Sequence, residues 1–64
     1  MEIKSKNKIN TLDKNSNVES FYFNKEENSY NYRLIFKNKI DLDLLKKDLE
    51  ANNDIDIIDI KYVL

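Results

Sequence analysis

The chain has 64 residues, a formal net charge of −1 from 11 basic and 12 acidic side chains, and no Cys, His, Gly, Pro or Trp. Without His or Cys it lacks the groups most used for proton transfer near neutrality, thiolate attack and tight metal binding. Without Gly it has no glycine-rich loop to cradle a nucleotide phosphate, so the composition points away from an enzyme and from any cofactor, metal or small-molecule substrate.

Residues 1–64 read as a single small domain with a thin core, because short chains bury a small share of their surface. No cysteine is present to reinforce it, which suits a reducing compartment and leaves association with a partner or a second copy as the remedy. No basic start runs into an apolar stretch, and no apolar run is long enough to span a bilayer, so a cytoplasmic chain without a membrane span is expected. Lys, Asn and Ile make up 28 of the 64 residues. Their codons are A/T-rich, which suggests a low-GC bacterium or one of its phages.

Residues 1–17 carry few apolar anchors, Ile3, Ile9 and Leu12 after Met1, among Lys, Asn and Ser. The favoured reading is an edge strand at about 2–9, since lysines suit an exposed edge; a helical remnant or a mobile segment are the alternatives. Residues 18–37 read as a hairpin with Phe21 and Phe23 in one arm and Tyr30, Tyr32, Leu34 and Phe36 in the other. A four-residue loop at 25–28 sets Phe23 opposite Tyr30 and Phe21 opposite Tyr32, both on one face, so loop length and apolar parity agree. The seven aromatic residues are expected mostly in the core.

Residues 40–53 read as a helix. Asp41 suits the N-cap, Ile40 and Leu45 stand at staple spacing, and Leu42, Leu45 and Leu49 form an apolar stripe widened by Leu44. Asp43 and Lys47 are spaced as an i, i+4 pair, and Asn52 and Asn53 suit the left-handed end. Residues 54–64 then alternate as a strand, with Ile58, Ile60, Tyr62 and Leu64 on one face. Ile55 and Ile57 have the other parity, so either both faces are covered or a bulge near Ile57 and Ile58 resets the phase. The apolar start favours a central position.

Few motifs imitate a site. Asp13-x-Asn15-x-Asn17 opens like a calcium loop, but Val18 and Asn24 stand where the turn glycine and the bidentate Glu belong, so a connecting loop is the better reading. Asp54, Asp56 and Asp59, with Asp41 and Asp43, are spaced as solvated residues between apolar ones. Lys4, Lys6 and Lys8 alternate as a phosphate-tracking row would, yet no aromatic residue lies among them, and no nucleic-acid partner is expected. Arg33 is the only arginine. With Tyr22, Asn31 and Ile35 it forms an outward patch of interface-favoured types, the first place to seek a protein partner.

Together these elements predict an α+β two-layer sandwich, a mainly antiparallel sheet of three or four strands with one helix, in the order (β)ββαβ. The crossover through the helix makes the strands on either side of it parallel without requiring them to be neighbours. The spacing Tyr32-x-Leu34-x-Phe36, then Leu42, Leu45 and Leu49, then Ile58-x-Ile60, resembles the second half of an ACT-like or ferredoxin-like domain, as in the soluble C-terminal domain of the MgtC/SapB family. The resemblance covers residues 18–64 and implies a regulatory or dimerising module.

The leading functional expectation is a non-enzymatic protein-interaction module acting through a sheet edge or the tyrosine/arginine patch, with a homodimer as one form. Its alternative is a phage-encoded inhibitor of a host protein whose acidic C-terminal third imitates nucleic acid: residues 40–64 hold seven acids against three lysines. A small ribonuclease using Arg33, Glu19, a lysine and a tyrosine is the remaining class.

Overall fold

Alternation of apolar and polar residues is regular along Glu2–Ser5 and Ser29–Leu34, the middle pair of strands in the sheet. The computed structural model describes residues 1–51 and 55–62. Four strands form, β1 (Glu2–Ser5), β2 (Val18–Asn24), β3 (Ser29–Leu34) and β4 (Ile57–Lys61), with helix α1 (Lys39–Ala51) between the last two. Every pairing is antiparallel and the order across the sheet is β2-β3-β1-β4. The chain is thus a small α+β sandwich of the expected kind, in the order β-β-β-α-β.

The hairpin forms in the register its sequence dictates: Phe23 pairs with Tyr30 and Phe21 with Tyr32. In each pair the ring centroids stand 4.8 Å apart. Asn24 closes the turn, its Oδ1 accepting from the backbone N–H groups of Glu26 (3.0 Å) and Glu27 (3.2 Å). Asn28 takes a left-handed φ of 53°, a conformation asparagine tolerates better than most residues.

Two strands exchange their expected places. β1 is central rather than an edge, paired with β3 on one side and β4 on the other. Ile3 and Ser5 are buried beneath the helix layer while Glu2 and Lys4 lie on the opposite face. A lysine fits a central strand when that face is open to water, so its presence does not mark an edge. The three-lysine row also fails, because β1 ends at Ser5 and Lys6 and Lys8 belong to the connection that follows.

β4, expected to be central, is the outer strand beside β1. Its two apolar parities are reconciled by the bulge: Lys4 pairs with Asp59 and Ser5 with Ile57, which leaves Ile58 as the extra residue. Ile57 and Ile60 therefore face the core, and Ile58 is 47% exposed.

The second layer has two parts. In α1, Leu45 and Leu49 are buried and Leu42 is partly so. Its cap is Asn38, three residues before Asp41: Asn38 Oδ1 accepts from the Asp41 N–H (2.9 Å), and Asn38 Nδ2 donates to the Asp41 carboxylate (3.1 Å). This reciprocal box makes Asp41 a first-turn residue, where its charge still suits the positive helix end. The earlier start turns Ile40 to solvent at 72% exposure, so it makes no staple with Leu45. Among the described residues no ion pair joins Asp43 to Lys47. Lys46 Nζ instead sits 4.5 Å above the Tyr62 ring and ties α1 to the chain beyond β4. The expected end signals Asn52 and Asn53, and also Asp54 and Leu64, lie outside the described residues.

The other part is residues 6–17, neither an edge strand nor a tail beyond Ser5. A 3₁₀ turn at Asn10–Leu12 buries Leu12, and Ile9 is completely enclosed. The Ile9 N–H donates to the Tyr32 hydroxyl at 2.9 Å inside the core, giving both buried polar groups a partner. Asn7 Oδ1 accepts from the Asp56 N–H (3.0 Å) and the Lys6 N–H donates to the Asp56 carbonyl (2.9 Å), which fixes where the connection leaves the sheet.

This cover is narrow. Of the seven aromatic residues only Tyr32 is buried; Tyr30 and Phe36 are half-buried, and Phe21, Tyr22, Phe23 and Tyr62 are exposed. The expectation that the aromatic residues lie mostly in the core fails because one helix and one loop do not reach across β2.

Replacing Tyr32 by Phe keeps the ring but leaves the buried Ile9 N–H without an acceptor, and should cost about 1–3 kcal/mol in urea unfolding. Tyr22→Phe, at an exposed position, should stay within about 0.5 kcal/mol of the parent. Equal effects at the two positions would remove the hydroxyl's structural role.

Candidate protein-interaction surface

The face of the sheet away from α1 carries the residues of opposite parity. Register places Tyr22 beside Asn31, Asn31 beside Lys4 and Lys4 beside Asp59; the next row runs Ser20, Arg33, Glu2 and Lys61. These side chains line a shallow cavity of about 290 Å³. Glu2 thus stands between two cations and Lys4 next to an anion, a cross-strand alternation that balances the face. A balanced face has no single-sign field to draw in a polyanion.

Asn31 is buried despite its position on this face. Its Nδ2 donates to the Ser29 hydroxyl (3.1 Å) and the Ser29 carbonyl (3.3 Å), and Ser29 is fully enclosed. Arg33 Nε pairs with Glu19 at 3.4 Å, both side chains about half exposed. Lys4 donates to the Glu27 carboxylate at the hairpin turn. That hydrogen bond is the main reason the Lys4 ammonium is held above its usual 10.5; the charges of Glu27, Tyr22 and Asp59 add to the rise, and desolvation partly opposes it. An upward shift keeps lysine charged, the reverse of what a lysine base or nucleophile needs.

Of the patch expected from the sequence, Tyr22, Asn31 and Arg33 come together in this cavity. Ile35 does not join them, because β3 ends at Leu34 and the Ile35 N–H turns to the Asn17 carbonyl (2.8 Å). It lines a separate groove of about 380 Å³ with Phe36, Leu42 and Tyr62, and Arg33 borders both. Sequence reasoning missed Glu2, Lys4, Asp59 and Lys61. The alternation Glu2-Ile3-Lys4-Ser5 carried the signal, but using it requires β1 to be central.

The calcium-like string is spent within its loop. Asp13 pairs with Lys8 at 3.7 Å, Asn15 Oδ1 accepts from the Asn17 N–H at 2.8 Å, and Val18 begins β2. Among the described residues no three acidic side chains gather as metal ligands, and no helix is long and apolar enough to cross a membrane.

The second exposed feature is β2 itself. It is the longest strand, seven residues, and it lies at the outside of the sheet. Phe21, Tyr22 and Phe23 are 46%, 58% and 40% exposed, in a strand with neither Lys nor Pro. Such an edge offers unpaired backbone donors and acceptors beside apolar area. Compared with known protein families, curated proteins and solved structures, the chain matches none.

Because Lys4 is shifted upward, its contribution to stability is complete below pH 10.5 and is lost as pH rises through its folded-state value. Side-chain NMR titration should show Lys4 losing its proton at lower pH in Glu27→Gln than in the parent chain. An unchanged midpoint would dissociate the shift from Glu27.

Proposed function

We propose that this chain is a non-catalytic protein-association module that binds through the outer strand β2, by strand addition supported by the aromatic side chains on both of its faces. The observation that carries this reading is the exposure of three consecutive aromatic residues, Phe21, Tyr22 and Phe23, on an outer strand. Strand addition takes its affinity from main-chain pairing and its selectivity from alternate side chains, and β2 offers both. Tyrosine and arginine are favoured at interface centres, and Tyr22 and Arg33 lie next to this edge.

The topology supports the ferredoxin-like reading of the fold. β1 and β2 flank β3, and β3 and β4 flank β1, so two split strand–connection–strand units interleave, with residues 6–17 in place of a first helix.

Immobilised parent chain should retain a partner from a lysate of its host cell that Phe21→Ser/Phe23→Ser retains at least about tenfold less, with far-UV circular dichroism unchanged. Equal retention by the two chains would overturn β2 as the binding surface.

A further inference from the structure

Resting on that reading, we propose that β2 pairs with the β2 of a second copy of this chain, antiparallel, about a twofold axis through Tyr22. After the bulge at Val18–Ser20, the regular part of the strand is residues 20–24, and Tyr22 is its midpoint. The segment Glu19-Ser-Phe-Tyr-Phe-Asn-Lys25 is palindromic in chemistry: an apolar aromatic middle, one polar residue on each side, and opposite charges at the ends. Antiparallel self-pairing centred on Tyr22 sets each Phe21 against the other copy's Phe23 and Tyr22 against its own counterpart. Just outside the regular segment, the bulge residue Glu19 of each copy comes alongside Lys25, the first turn residue of the other, so two opposite-charge pairs flank the aromatic centre.

No other register treats the segment as well. Moving the axis to Phe21 faces Phe23 with Glu19, and moving it to Phe23 faces Lys25 with Phe21. Parallel pairing sets like charges side by side at both ends. A twofold contact also closes on itself at two copies, whereas β2 against β4 of the next copy leaves a free edge at each end and builds a larger ring or an open filament.

The exposed fractions of 46%, 58% and 40% correspond, at roughly 200 Å² per aromatic side chain, to about 300 Å² per copy before the backbone is counted. That is less than the roughly 800 Å² per partner of a standard stable interface, so a reversible dimer is expected rather than an obligate one.

Sedimentation equilibrium from about 1 µM to 1 mM should show monomer passing to dimer and no further. Glu19→Lys and Lys25→Glu should each raise the dissociation constant about tenfold, because each turns both flanking pairs into like charges. The double reversal Glu19→Lys/Lys25→Glu remakes both intermolecular pairs and should bring the dissociation constant back below that of either single variant, the remaining loss being that of the Glu19–Arg33 pair within each copy. Since the chain has no cysteine, Tyr22→Cys gives a single thiol on the proposed axis, and mild oxidation should yield a disulfide-linked dimer, whereas Ile40→Cys should not. A parent chain monomeric at 1 mM overturns the self-pairing, and the lysate experiment then decides separately whether β2 binds another protein. Open-ended growth overturns the twofold contact, and failure of the double reversal to dimerise more tightly than either single variant overturns the register.

Discussion

Four residues, Glu2–Ser5, make one sheet out of two separate pieces. The β2–β3 hairpin closes locally around a short turn, but β3 and β4 run parallel and cannot pair through a hairpin. β1 lies antiparallel to both and fills the place between them. Its two hydrogen-bonding sides join the start of the chain to its middle and to its end. Contacts of such long sequence separation cost more loop-closure entropy than the local pairing of the hairpin. Ile3, only 1% exposed, holds this junction to the core by its side chain.

The width of the second layer follows from chain length. Sixty-four residues supply one helix, whose Leu49 shares a groove with Ile57 and Ile60 of β4, so α1 covers that side of the sheet. The opposite side receives residues 6–17, a polar segment anchored by Ile9 and Leu12. Both reach the core because Tyr32 offers its hydroxyl to the Ile9 backbone, which allows a strand-free connection to be buried without an orphaned donor. The cover ends at Tyr32. Phe21 and Phe23 beyond it stack on Tyr30, with Phe21 also tilted against Tyr32, and both are exposed. The exposed edge is thus what remains of the sheet after a small second layer has been used up.

Elements set by local rules were legible in the sequence. Loop length and aromatic parity gave the hairpin register, and leucine spacing gave the helix, although the capping box of Asn38 and Asp41 began it earlier than Asp41 alone suggested. The bulge at Ile58 was one of two readings of the isoleucine run. What stayed hidden depends on distant pairing: nothing within residues 1–9 reveals that two strands flank them, or that Ile9 meets Tyr32. The same limit divided the candidate surface. Tyr22, Asn31 and Arg33 lie on two strands joined by a readable turn, whereas Glu2, Lys4, Asp59 and Lys61 join them only through the registers of β1. Ile35 was misplaced because the end of β3 is set by the tertiary hydrogen bond to Asn17.

The two outer strands of this sheet are physically unlike. β4 has five residues, carries Asp59 and Lys61, and is bent by the bulge at Ile58, while Lys46 holds the Tyr62 ring just past its end. Short length, charge and a bulge are the devices by which sheets discourage pairing at an edge. β2 has none of them where it matters: it is longer, its bulge lies at the far end, and its middle is Phe-Tyr-Phe. The charges that flank its regular segment, Glu19 in the bulge and Lys25 at the start of the turn, lie just outside it, where they would restrict the register of a partner strand rather than repel it. This asymmetry between the two outer strands is the physical ground on which association is proposed for β2 and not for β4.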